Sequence, residues 1–116
     1  MTDSDVAALV NTALIGIPED WLRNAFESFR VPIQEQKRAW EFDSPEKLYS
    51  IWIVADLRER GVGIAYADCP WRAPGWPWGL VWINDKGGPT GHAGWYKTLG
   101  ECLRDSGYFD RFEPFG

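Results

Sequence analysis

The sequence predicts an α+β domain: an antiparallel meander of three to four strands, two helices before it and one after. Three observations lead there. Apolar residues recur at helical spacing through the first third. In the centre they alternate with period two between Gly-containing turns. Near the end, Thr98 followed three residues later by Glu101 is a capping-box signature. Strands and helices are segregated along the chain, which favours helices on one face of the sheet.

Val6, Leu9, Val10, Ala13, Leu14 and Ile17 outline the first helix. Thr2 or Ser4 can cap it, Asp3 and Asp5 suit its positive end, and Gly16 stops it. A second helix is expected from Pro18, with Trp21, Leu22, Ala25, Phe26 and Phe29 as its apolar stripe. Pro32 ends it, because the residue before a proline avoids the helical region.

Residues 36–42 alternate as a strand, with Arg38, Trp40 and Phe42 on one side. Asp43-Ser44-Pro45-Glu46 reads as a capped single turn. Tyr49–Arg58 is a strong strand. Tyr49, Ile51, Ile53, Ala55 and Leu57 are expected on one face; Ser50, Trp52, Val54, Asp56 and Arg58 on the other. Glu59-Arg60-Gly61 turns the chain, with Gly61 free to take a positive φ. The return strand Val62–Asp68 sets Val62, Ile64 and Tyr66 against Gly63, Ala65 and Ala67. Such a small-residue face leaves room for something bulky, a packed helix or an aromatic from a neighbouring strand. A further strand, Trp78–Asn84, puts Trp78, Leu80 and Trp82 on one face, Val81 and Ile83 on the other. Residues 86–97 read as a Gly-rich loop, and the last helix runs from Thr98 to about Ser106, stopped by Gly107. Tyr108, Phe109, Phe112 and Phe115 are expected to pack back on the domain.

The length of 116 residues suits one domain, and 45% hydrophobic residues suffice for one core. The net charge of −5 argues against direct nucleic-acid binding, which draws on clustered basic residues. It matches a basic partner instead, since opposite potentials steer encounter. No signal-peptide pattern or membrane-length apolar run is present, so a cytoplasmic protein with Cys69 and Cys102 reduced is expected.

Few groups suggest catalysis. His92 with Cys69 or Cys102 lacks any local nucleophile signature, and Cys102 fits better as a small buried hydrophobe. Two Cys and one His without a C-x-x-C make a poor zinc set. Gly87-Gly88-Pro89-Thr90-Gly91 lacks the G-K-[ST] continuation of a phosphate loop. Asp56 and Asp68 are the best carboxylate pair for hydrolytic chemistry, but fit better as solvated strand ends. The expectation is a non-enzymatic protein without metal or cofactor.

Eight tryptophans form the strongest feature, four of them (Trp71, Trp76, Trp78 and Trp82) interleaved with Pro70, Pro74, Pro77, Gly75 and Gly79. One reading makes this cluster a stiffened cap on an open edge of the core. The other makes it a binding surface, with Trp71, Arg72, Trp76, Trp78, Asp68 and Asp85 as partner-binding residues. The Trp-rich sheet, with the closing stretch Thr98-Leu99-Gly100-Glu101-Cys102-Leu103-Arg104-Asp105-Ser106-Gly107-Tyr108-Phe109, resembles in style the small acidic immunity proteins of bacterial toxin systems. That resemblance implies an inhibitor that binds and neutralises a cognate toxin, often a basic nuclease; it transfers no site residue. An inhibitor of another nucleic-acid enzyme fits the same physics. The alternative is a small-ligand domain or minor enzyme for a sugar or metabolite, its pocket between Gly63, Ala65, Ala67 and the 69–78 loop, with Tyr66 or Asp68 supplying polarity. A monomer, or a homodimer through the edge of the Trp78–Asn84 strand, is expected.

Overall fold

The computed structural model describes residues 2–39, 48–57, 61–67, 76–83 and 95–105. Its elements are α1 (Asp3–Ile15), α2 (Asp20–Phe29), β1 (Arg30–Ala39), β2 (Leu48–Asp56), β3 (Val62–Tyr66), β4 (Trp78–Trp82), β5 (Trp95–Tyr96) and α3 (Leu99–Asp105). The strands form one antiparallel sheet in the order β1-β2-β3-β4-β5. The α+β meander is therefore as expected, with five strands. β4 pairs with β3 along its whole length and with β5 only at Trp78 and Gly79; β1 and β5 are terminal among the described strands.

Local chemistry sets the helix ends. The Asp5 N–H donates to Thr2 Oγ1 at 3.3 Å, and the Thr2 N–H donates to Asp5 Oδ2 at 2.8 Å. These two bonds close a capping box on α1. The Thr2 N–H, and after it the Thr2 hydroxyl donating to Asp5 Oδ2 at 3.1 Å, hold the Asp5 carboxyl below its usual range. At α3 the Glu101 N–H donates to Thr98 Oγ1 at 3.0 Å. The second helix starts at Asp20 rather than Pro18 and runs to Phe29, after which Arg30 is already extended (φ −63°, ψ 135°). The chain passes from helix into strand without a loop. Pro32 therefore sits inside β1, which begins six residues earlier than the 36–42 reading, and Trp40 and Phe42 lie outside the described residues. A proline is tolerated there because β1 is a terminal strand and its pairing shifts register between Arg30 and Gln34.

A second irregularity corrects the faces of β2. Ile53 pairs Ala65 but Ala55 pairs Ile64, so Val54 is an extra residue. The bulge moves Ala55 and Leu57 from the side of Ile51 and Ile53 to the helix side. The helix-side core joins Val6, Val10, Leu22, Phe26, Leu99 and Leu103 to Trp52, Val54, Ala55, Ile64, Trp78 and Leu80. The opposite sheet face holds a second buried cluster of Ile51, Ile53, Ala65, Ala67, Val81 and Trp95.

Gly61 takes φ +70°, as the turn requires. The small-residue face is filled by neighbouring strands. A Cβ on Gly79 would fall 2.4 Å from the Trp95 ring, and one on Gly63 would fall 2.2 Å from Ile83 Cδ1. Trp95 and Tyr96 form the short β5 within the stretch expected to be loop, because Gly79 gives the Trp95 indole a place to lie. No helix of the described residues is long and apolar enough to cross a membrane.

Candidate functional site

The start of β4 brings the site region together. Ala67 donates its N–H to the Pro77 carbonyl at 2.9 Å, which holds the chain entering β4 against the end of β3. Strand alternation then turns Trp78 into the helix-side core, where it is 5% exposed. Its ring meets Tyr66 edge-on, with centroids 5.0 Å apart at 68°. Trp76, just before the strand, is half-buried, with the Lys97 ammonium 6.0 Å from its ring centre. That is the outer range of a cation–π contact. Two tryptophans grouped by sequence thus differ in setting: Trp78 is core, and Trp76 reaches the surface. Asp68, Trp71, Arg72 and Asp85 lie outside the described residues, as do Cys69 and His92.

Trp82, at the other end of β4, is 41% exposed although it shares a parity with Trp78 and Leu80. Period-two reasoning places it on the core face; only its position at the strand end leaves it in solvent. Ile15, 85% exposed at the end of α1, is the other large apolar side chain in the open among the described residues.

Arg104 is held by Glu19 through two bonds, Nε to Oε2 at 2.8 Å and Nη2 to Oε1 at 3.1 Å. This bidentate pair ties α3 to the start of α2. The Arg104 hydrogen bonds hold the Glu19 carboxyl below its usual range, and those to Glu19 raise Arg104. Nothing in the sequence flags a pair 85 positions apart. Between α1, Trp78 and the β5–α3 junction lies a cleft of about 270 Å³. Its lining includes Thr12, Ala13, Trp78, Lys97, Thr98 and Arg104, none of them singled out as a pocket by the sequence reading except Trp78. Ile83 lies against Gly63, and Trp95 shares a cluster with Ala65 and Ala67; residues 69–75 of the loop expected to close a pocket over them lie outside the described residues.

Cys102 is fully buried, and burial pushes its thiol far up, so it is not a ready nucleophile. Among the described residues no three His, Cys, Asp or Glu side chains are grouped to hold a metal ion. No family model, curated protein or solved structure matches the chain.

Proposed function

We propose that the protein is a non-catalytic interaction module, an immunity- or inhibitor-type protein that binds and neutralises a basic partner protein. The observation that carries this reading is where the acid excess falls. Arg23, Arg30 and Arg104 are each bound to a carboxylate of the chain itself: Asp20, Glu27 and Glu19. Each pair cancels one acid with one base, as does Lys37 with Glu35, so the chain keeps its net charge of −5, with the exposed Asp3 and Asp105 among the carboxylates left over. A surface of that sign accelerates encounter with a basic protein. Trp76 and Trp82, partly exposed at the two ends of β4, supply aromatic anchors of the kind that dominate interface energetics.

The test is affinity capture of the tagged protein from its native lysate with mass spectrometry of what is retained. One stoichiometric basic protein, inhibited when the pair forms, is the expected result. Recovery of the bait alone, or of only acidic proteins, overturns the proposal.

A further inference from the structure

We infer that the cleft between the end of α1 and the start of α3 binds a small organic anion, a carboxylate or phosphate ester on a compact apolar body. This goes beyond the partner-binding reading and does not depend on it. The volume of about 270 Å³ is ample for one ring and one charged group, since an apolar cavity of about 150 Å³ accommodates benzene. The charge of the lining runs against the charge of the chain. In a protein of net charge −5, the charged side chains lining this cleft among the described residues are Lys97 and Arg104, both cations.

The two cations differ in kind. Arg104 is fixed by Glu19, and its guanidinium lies against Gly100, where an added Cβ would fall 3.1 Å from Nη1. It is a wall with its charge largely balanced. Lys97 is exposed, near the Trp76 ring, and is the group that gives an anion its net attraction. Thr12 and Thr98 add hydroxyls at the rim. Thr98 accepts from the Glu101 N–H, which leaves its hydroxyl hydrogen to donate. Ala13, Ile17, Leu99 and the buried Trp78 supply the apolar part. One cation, two hydroxyls and an aromatic wall are complementary to an oxyanion at the rim with its apolar body inside.

The experiment is an amide chemical-shift titration of the whole protein with benzoate, phenyl phosphate, inorganic phosphate and neutral benzyl alcohol. Benzoate or phenyl phosphate is expected to shift Lys97, Thr98 and Gly100 saturably, with Kd near 1 mM, typical for so few atoms. Which of the two is tighter tells whether the oxyanion is a carboxylate or a phosphate. Lys97→Gln, at an exposed position, should weaken the anions about tenfold and leave benzyl alcohol unchanged. Ala13→Met, which fills the cleft, should abolish binding. The inference is overturned if benzyl alcohol binds as tightly as benzoate, or if inorganic phosphate matches phenyl phosphate. Unchanged affinity in Lys97→Gln, or no saturable shift up to about 20 mM, far above the Kd expected of such a fragment, does the same.

Discussion

Gly79→Ala is the sharpest test of how the sheet is built. The added Cβ would lie 2.4 Å from Trp95 Cδ2 and Cε3 and 2.6 Å from Cε2. All three contacts are far inside the ordinary carbon–carbon separation of about 3.5–4.0 Å. The ring has little room to yield, because Trp95 is 5% exposed and packed with Ala65 and Val81 on the far face of the sheet. Overpacking of this kind costs about 1–3 kcal/mol. Against it stands a gain of about 0.4–1 kcal/mol from the stiffer unfolded chain. The net expectation is destabilisation by roughly 1–2 kcal/mol, or about 4–10 °C in Tm for a chain of this length. Urea unfolding should show a lower midpoint with an unchanged slope. Trimming the ring should relieve the clash: in a double-mutant cycle with Trp95→Leu, Gly79→Ala should cost about 1 kcal/mol less than in the parent. A Gly79→Ala protein as stable as the parent, or a cycle with no coupling, would refute the stacking of Trp95 on Gly79.

Trp78→Ala should cost about 3–5 kcal/mol in urea unfolding, because the ring is core. Trp76→Ala should stay within about 1 kcal/mol, as expected of a partly exposed side chain, while losing partner binding; equal destabilisation would place both rings in the core. Thr2→Ala should cost about 1 kcal/mol through loss of the α1 cap, read from the same titration. Glu19 is held below its ordinary range by Arg104, so its contribution is present above the unfolded carboxyl pKa and lost as pH falls through the folded one. Stability measured from neutral pH down to acid should fall less steeply in Glu19→Gln than in the parent. Parallel curves would mean that the Glu19–Arg104 pair adds nothing to stability in this pH range. Cys102 should resist alkylation in the native protein and react on unfolding, as peptide mapping can show; rapid native labelling would contradict its burial.

Features fixed by neighbours in sequence were legible without the fold. The Gly61 turn, the Thr2 and Thr98 caps and the alternation of β3 all follow from residues within a few positions of one another. The small face of Gly63 and Ala65 correctly called for a bulky neighbour, but that Ile83 and Trp95 fill it depends on strand order. Helix-to-strand passage at Arg30 was hidden because Pro32 is a breaker in most settings, and only a terminal strand with shifted register accepts it. The switch of Ala55 and Leu57 to the helix side was hidden for a similar reason. A bulge at Val54 is a property of the β2–β3 pair, not of either strand alone. At the candidate site, composition located the tryptophans but could not separate Trp76 from Trp78. Nor could it foresee that Lys97 and Arg104 would line a cleft with Thr12, since α1 and α3 meet only in the folded chain.

Binding of a basic protein through acidic and aromatic groups should depend on both salt and Trp76. It is tested most directly by parallel capture with the parent and Trp76→Ala proteins at low salt and at about 0.5 M salt, where surface attraction is largely screened. One basic partner is expected, retained by the parent at low salt, depleted at high salt and lost from Trp76→Ala. A partner held equally by both proteins and indifferent to salt would contradict it.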